Sequence, residues 1–243
     1  MLEKGYTINV LDHGYVRLID WLGSDERVCE AARISYHSPS KGVEQDQKLI
    51  NYLWKNRHTS PFEQINLTFN IKLPLFVQGQ MVRHRTQRLN QVSARYTEIL
   101  DEFYIPKTWR KQDTKDKQGS IEKDDSNPFM YCMGGNGDPI YATDAVIDHC
   151  ALSYNLYKQL ICKGIAKEMA RMILPQNLYT EIYSNWDLNN LTHFFTLRLD
   201  EHAQWEIRQY AKAMYDITKE IYPMVLKAYD RYKIKVIDME ENK

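Results

Sequence analysis

The sequence has no excess of either charge and no long apolar run. Its 32 lysines and arginines balance 32 aspartates and glutamates, and no apolar stretch approaches the length of a membrane span. A neutral chain has no general attraction for nucleic acid or a membrane surface, so any anion binding must be local. Apolar residues make up 43% of the 243 positions, which is typical of a globular protein with a substantial core.

Cysteine is scarce and shows no metal or redox spacing. The four cysteines, Cys29, Cys132, Cys150 and Cys162, are widely separated, which excludes a zinc knuckle or a redox pair. We therefore expect reduced thiols in a cytoplasmic protein, with most of them buried in the core. Residues 1–5 lack a basic region followed by an apolar core, so we expect no secretory signal.

Common motifs of phosphate binding, nucleophilic catalysis and metal binding are also missing. The sequence has no Walker loop and no Gly-x-Gly-x-x-Gly segment, so other groups must hold a bound nucleotide. No serine or cysteine stands in a recognisable nucleophile motif. We expect no metal site, because no second histidine lies three to five residues from His202 in its predicted helix.

The apolar patterns predict an α+β fold: a small, mostly antiparallel sheet with long helices, in one domain spanning residues 1–243. Residues 65–72 alternate strictly between apolar and polar side chains, which indicates a half-buried strand. Asp12-His13-Gly14 separates two short runs in the manner of a hairpin. We predict further helices at about 24–34, around 49–53, at 74–83, from 142 to Pro175 with a break at Gly164, and without interruption from 187 to 221.

One segment breaks this regular pattern. Residues 107–138 are polar, with almost no apolar anchor and a turn-prone Gly134-Gly135-Asn136-Gly137. We expect a mobile surface insertion there, preceded by a short strand at 103–105.

The densest polar stretch lies at residues 83–96, where four arginines accompany a histidine, amides and a serine. Charge runs are usually solvated loops. Here the amides and hydroxyl replace the usual lysines and glutamates, and strongly patterned elements flank the segment. A rigid site for an anionic ligand is therefore favoured, since a guanidinium forms a planar fork suited to phosphate, carboxylate or a pyrimidine edge.

Three other segments each have an ordinary structural explanation when taken alone. His58–Glu63 suits a turn with Ser60 and Pro61. Arg171 suits the C-terminal end of a helix. Residues 197–208 would put Arg198 and His202 on adjoining faces of a helix, where surface ion pairs such as Arg198–Glu201 are common.

Taken together, these segments resemble the flavin-dependent thymidylate synthases. That family carries Arg-His-Arg, then seven residues, then Ser, which matches Arg83-His84-Arg85 and Ser93. The resemblance spans nearly the whole chain outside the insertion and the C-terminal end. Further matching segments follow in order: Ala32–Tyr36, His58–Glu63, Arg171 with Leu174-Pro175, and Leu197–Ile207.

The resemblance implies that family's fold and an FAD-dependent enzyme that reductively methylates dUMP to dTMP. It implies 5,10-methylenetetrahydrofolate as the carbon donor and NADPH as the reductant. It also implies a homotetramer whose sites are assembled from several chains. A protein nucleophile is not needed on this route, which agrees with the lack of a nucleophile motif.

The resemblance gives Arg198 the role of activating dUMP, because a guanidinium beside uracil N3 favours ionisation of the ring. Ser93 and Arg95 would hold the phosphate, and Arg171 would join Arg198 at the uracil edge. The implied dUMP-binding set is Gln80, Met81, Val82, Arg83, Gln91, Val92, Ser93, Ala94, Arg95, Arg171 and Arg198. The implied FAD-binding set is Ser35, His58, Ser60, Glu63, Arg83, His84, Arg85, Asn90, Gln91, Asp187, Leu188, Asn189, His193 and His202.

Several positions depart from the family pattern. Arg88 stands where many members have Ser, and Gln91 where Glu is usual. Asp187 and Asn189 stand where Asn and Arg are common, and His193 replaces an amide in some relatives. The resemblance implies that the arginine usual at position 189 contacts the FAD phosphates, so Asn189 puts that contact in doubt, and Arg88 is the candidate replacement.

Two rival functions are weaker. An RNA-binding module would use residues 83–95, but aromatic side chains for base stacking are not interleaved with these arginines. A cysteine-dependent thymidylate synthase would need an activated thiolate, and no cysteine has an obvious basic neighbour motif.

Overall fold

The computed structural model describes residues 2–36, 42–114, 119–131 and 139–233, and the side chains there except those of residues 36 and 122–125. The strands are β1 (Thr7–Val10), β2 (Gly14–Leu22), β3 (Asn66–Pro74), β4 (Arg88–Gln91), β5 (Trp109–Gln112), β6 (Ser120–Ser126), β7 (Phe129–Tyr131), β8 (Pro139–Tyr141) and β9 (Tyr179–Asp187). The main sheet is antiparallel, with the order β1-β2-β3-β9-β4. The predicted α+β class is therefore confirmed.

Strand β3 lies at the centre of the sheet. Its alternating pattern puts Leu67, Phe69 and Ile71 in the core, where they are fully buried. Ile71 pairs with Val16 of β2 on one side and Ile182 of β9 on the other. The predicted strand and N-terminal hairpin are both confirmed.

The helices are α1 (Asp25–Arg33), α2 (Val43–Lys55), α3 (Leu75–Met81), α4 (Ala142–Cys162), α5 (Lys167–Ala170), α6 (Leu188–Arg198), α7 (Trp205–Ile221) and α8 (Pro223–Tyr232). Helices α1, α2, α6, α7 and α8 share one apolar core with the sheet. Fully buried Ile50, Phe194 and Ile217 come from three of these helices, and burial of each such side chain contributes about 1.5–3 kcal/mol. A smaller core under α4 contains Phe103, Tyr157 and Leu178.

Two strands of the main sheet, β4 and β9, are absent from the predicted elements, and two predicted elements are wrong. The helix predicted from 187 to 221 is interrupted, because α6 ends at Arg198 and α7 begins at Trp205. His202 therefore lies in a turn, not on a helix face beside Arg198. In place of the strand predicted at 103–105 there is one isolated bridge, from Phe103 to Leu178.

The insertion contains regular structure that its polar composition did not predict. Strands β5 and β6 form one antiparallel ladder, and β7 and β8 form another. Trp109 is the apolar anchor of the first ladder, and its indole Nε1–H donates to Thr143 Oγ1 at 3.1 Å. The predicted turn at Gly134–Gly137 lies outside the described residues.

The described cysteines are free thiols. Cys29 and Cys150 are buried and Cys162 is exposed, while Cys132 lies outside the described ranges. No helix within those ranges is both long and apolar enough to cross a bilayer. The same ranges contain no group of three His, Cys, Asp or Glu side chains arranged to hold a metal ion.

Candidate active site

The Arg83–Arg85 motif lies in a tight turn after α3. Pro74 precedes the helix with an extended backbone, and buried Met81 fixes its last turn in the core. The Gln87 amide donates to the Met81 carbonyl at 2.7 Å and accepts from Ser184 of β9 at 2.7 Å. These bonds tie the turn to the central sheet, so the motif is held firmly, as the sequence predicts.

The middle of the polar stretch, residues 88–91, is an edge strand and not a solvated loop. Strand β4 pairs with β9, with Arg88 opposite Asn185 and Gln91 opposite Ile182. The Arg88 guanidinium donates to Asn185 Oδ1 at 3.0 Å. Gln91 accepts from Gln78 at 3.1 Å and donates to Thr180 at 3.0 Å. The side chain of Gln91 therefore bridges α3 and β9, and a neutral amide suits this because it can accept and donate together.

Arg198 connects the polar segment 83–96 with the segment 197–208. It is the last residue of α6, and its Nε donates to His84 Nε2 at 3.0 Å. Its other nitrogens face Gln80, with Nη1 3.3 Å from Oε1 and Nη2 3.5 Å from the carbonyl oxygen. The alternative surface ion pair with Glu201 is not among the contacts of the described residues. Sequence segments more than a hundred positions apart thus meet at one guanidinium.

His84 is neutral in this site. Burial, then Arg198 and then His193 lower the pKa of the imidazole from its ordinary 6.5 to about 4. The residue is 9% exposed, and its ring meets that of Phe194 edge-on at 4.9 Å. A neutral imidazole has a free nitrogen lone pair, so Nε2 can accept the Arg198 bond. Burial also lowers the pKa of Arg198 itself.

This depressed pKa predicts a pH-dependent stability. Below pH 6.5 the unfolded chain takes a proton on His84 that the folded protein accepts only near pH 4. Stability from this group is therefore complete above pH ~6.5 and falls by up to ~1.4 kcal/mol per pH unit as the pH approaches ~4. Urea unfolding between pH 7.5 and 4.5 measures it, and His84→Gln should flatten the profile across this interval. Parallel profiles for the two proteins would contradict a buried, neutral His84.

A cavity of about 320 Å³ is lined in part by three of the predicted FAD-binding residues: His58, Asn189 and His193. Trp54, Phe62 and Tyr229 contribute apolar and aromatic walls. His193 also lies 6.4 Å from the His84 ring, measured between centroids. The cavity thus combines flat apolar surface with a few polar groups, as small-molecule sites commonly do.

The other predicted FAD-binding residues have varied surroundings. Asp187 caps α6, accepting from the backbone N–H of Asn190 at 2.9 Å, and Leu188 is fully buried and can offer only backbone groups. His202 is exposed in the turn between α6 and α7. The remaining members of the set are exposed: Ser35, Ser60, Glu63, Arg83, Arg85, Asn90 and Gln91.

The predicted phosphate-binding residues form a separate group. Arg95 contacts Glu168 at 3.3 Å, and Lys167 donates to the Tyr96 carbonyl at 3.2 Å. The turn carrying Ser93 and Ala94 therefore packs on α5, which leads directly into Arg171. Among the described residues, neither Arg95 nor Arg171 contacts Arg198. A single chain does not bring all the predicted dUMP-binding residues into one cluster.

The sequence interpretation also missed residues that contact the site. The Gln80 amide Nε2 donates to Gln204 Oε1, and Gln204 donates to Glu206 Oε2 at 2.9 Å. Both residues lie in the 197–208 segment that the sequence singles out. Their connection to Gln80 depends on the turn that separates α6 from α7, which the predicted continuous helix left out.

Comparisons with known proteins identify the family of this chain. Residues 17–224 match the family model described as thymidylate synthase complementing protein. A flavin-dependent thymidylate synthase of Thermus thermophilus is 42% identical over 96% of this chain and 82% of its own. That of Thermosipho africanus is 41% identical over 93% and 95%.

Solved structures give the same result. A UMP/dUMP methylase from Streptomyces cacaoi, bound with 5-Br dUMP, superimposes with a TM-score of 0.75 at 27% identity, covering 93% of this chain and 98% of that one. The chain therefore belongs to the flavin-dependent thymidylate synthase family.

Proposed function

We propose that this protein catalyses the reductive methylation of dUMP to dTMP, in the cytoplasm, using FAD, NADPH and 5,10-methylenetetrahydrofolate. Membership of the family supports the reaction, and the dUMP analogue bound to the Streptomyces methylase supports the substrate. The observation that carries the proposal is the convergence of Arg198, Gln80 and His84, together with a cavity lined by His193, whose ring neighbours that of His84.

The residues around the cavity fit FAD. His58, Asn189 and His193 offer polar contacts among the aromatic walls. Arg83 and Arg85 are exposed on either side of His84, and neither pairs with a carboxylate in the described part of the chain, so both can meet a diphosphate. FAD, when bound, supplies the redox chemistry of the reaction. The full proposed set is Ser35, His58, Ser60, Glu63, Arg83, His84, Arg85, Asn90, Gln91, Asp187, Leu188, Asn189, His193 and His202.

Arg198 is the proposed catalytic residue. Within the described residues, three of its five N–H groups donate to His84 and Gln80, which leaves two for a ligand. Two parallel donors suit the edge of a uracil ring. A guanidinium there lowers the pKa of uracil N3 and so raises the electron density available at C5.

The thiols of the core do not favour a cysteine nucleophile. Burial raises the pKa of Cys29 to about 12, and burial likewise raises the pKa of Cys150. A thiol with a raised pKa is almost wholly protonated at neutral pH and reacts poorly as a nucleophile. Activation of the uracil by Arg198 is therefore the better account of the described residues.

The dUMP site is proposed to be shared between chains of a homotetramer. Ser93, Arg95 and Arg171 lie apart from Arg198 in the described chain, so a complete site needs a second copy. Two methionines that flank Arg171 in the chain are exposed, Met169 by 55% and Met172 by 75%, and clusters of exposed apolar side chains mark association surfaces. The proposed dUMP set comprises Gln80, Met81, Val82, Arg83, Gln91, Val92, Ser93, Ala94, Arg95, Arg171 and Arg198.

Purified protein is expected to be yellow, and to release tritium from [5-³H]dUMP when NADPH and 5,10-methylenetetrahydrofolate are both present. The label must leave because the methyl carbon replaces hydrogen at C5. Absorbance spectra and scintillation counting measure the two outcomes, with omission of the folate as the control. Colourless protein that fails to take up added FAD would refute the proposal.

A further inference from the structure

A line of hydrogen-bonded side chains leads from Arg198 to the insertion. Arg198 Nη1 donates to Gln80 Oε1, Gln80 Nε2 donates to Gln204 Oε1, and Gln204 Nε2 donates to Glu206 Oε2 at 2.9 Å. The second carboxylate oxygen of Glu206 accepts from Arg110 Nη2 in β5. The line therefore has a guanidinium at each end, with the carboxylate next to Arg110.

The charged groups fix the direction of every bond in this line. A guanidinium can only donate and an ionised carboxylate can only accept. Gln80 must therefore turn its oxygen toward Arg198, and Gln204 must turn its nitrogen toward Glu206. Neither amide can flip without placing two donors or two acceptors face to face. Glu206 thus sets the orientation of the amide that faces Arg198.

Glu206 depends in turn on the insertion. Its side chain is 4% exposed and that of Arg110 is 21% exposed, so the carboxylate is compensated by a partner that is itself largely shielded from water. Arg110 also lies over the Trp205 ring at 5.1 Å, and the Tyr104 hydroxyl donates to Glu206 Oε1 at 3.4 Å. A buried carboxylate without such partners would be strongly destabilising.

We propose that Glu206 and Arg110 are positioning residues, which hold the Arg198 guanidinium in the orientation that uracil requires. The first ladder of the insertion would then be part of the active-site support. This inference rests on the proposed function, since it takes Arg198 as the residue that acts on dUMP.

The central test is Glu206→Gln in the FAD-bound enzyme. An amide has only one acceptor oxygen, so it must release either Gln204 or Arg110. We expect kcat/KM for dUMP to fall roughly tenfold or more, since a misplacement of about 1 Å can cost on the order of a hundredfold. FAD occupancy should be unchanged. Binding of dUMP should also lose part of its dependence on pH, because Arg198 would favour the N3-ionised form less.

Arg110→Ala and Arg110→Lys complete the test, and carry it if Glu206→Gln fails to fold. Alanine should reproduce the loss, whereas lysine should restore part of it by keeping the charge. In the double variant the effects should not add, since both changes break one line. The matched control is Asp25→Asn, which neutralises a carboxylate of similar burial that caps α8. It should lower the unfolding temperature and leave kcat/KM unchanged.

The outcomes separate this inference from the proposed function. The positioning role would be overturned if the wild-type enzyme is active and kcat/KM of Glu206→Gln and of both Arg110 variants stays within about twofold of the wild-type value. Misplacement of a group that acts on the substrate normally lowers kcat/KM by more than that. A wild-type protein that binds FAD but forms no dTMP would instead refute the proposed function.

Discussion

Arg198→Ala is expected to abolish most dTMP formation while the protein stays yellow. In the proposed function the guanidinium stabilises charge that develops on uracil, and loss of one such electrostatic contact typically lowers the rate by ~10²–10³-fold. The cavity proposed for the flavin is lined by other residues, including His58 and Asn189. The measurements are the rate of tritium release from [5-³H]dUMP and the flavin absorbance after gel filtration.

Two further variants test whether the loss of activity is specific to the Arg198 guanidinium. Arg198→Lys keeps the charge but loses the planar fork that meets both His84 and Gln80, so we expect partial activity at most. Arg17→Ala removes a half-buried arginine of β2 that donates to Thr7 at 3.2 Å and should leave turnover unchanged. Full turnover in Arg198→Ala would contradict the activating role.

The sequence predicts the centre of the fold well, because burial there follows the backbone period. In β3, apolar residues occupy alternate positions and are buried accordingly. In β9, this signal fails at two positions: Ser184 is fully buried, whereas Tyr183 is 46% exposed. Ser184 is inside because its hydroxyl bonds to Gln87. Because a tertiary hydrogen bond puts a polar residue in the core, the apolar pattern of the sequence does not reveal this strand.

The break between α6 and α7 has a local cause without the usual signals. No glycine or proline lies between residues 198 and 205. Instead, Asp200 Oδ1 accepts the backbone N–H of His202 at 2.9 Å, and its carbonyl accepts that of Ala203 at 3.1 Å. An aspartate can support a turn in this way. Because the helical apolar period continues on both sides of this turn, the sequence pattern does not reveal the break between the two helices.

The candidate site, like the fold, is predictable from the sequence only in part. Residues 83–96 and Arg198 are found from their polar side chains, and the structure joins them through His84. The Arg110–Glu206 pair spans 96 positions and has no local signature. Residue composition suggested only that the insertion was polar. A contact of this kind is determined by the fold and not by spacing along the chain.

The proposed sharing of the dUMP site between chains of a homotetramer leads to the last prediction. Arg198→Ala and Arg171→Ala homotetramers should each be nearly inactive. Co-expression of the two with different tags, followed by isolation of mixed tetramers, should restore activity. If each site takes Arg198 from one chain and Arg171 from another, random assembly of equal amounts leaves about one quarter of the sites intact.

The alternative arrangement gives a different result. If both arginines of a site came from the same chain, every site would carry one lesion and mixing would restore nothing. The control is a tetramer prepared in the same way from two differently tagged chains that both carry Arg198→Ala, and it should stay inactive. Met172→Asp, at an exposed position next to Arg171 in the chain, should also disrupt the proposed tetramer, because a buried unpaired carboxylate disfavours association. The shared site would be located at this surface if the mixed tetramers regain activity and the Met172→Asp protein is inactive.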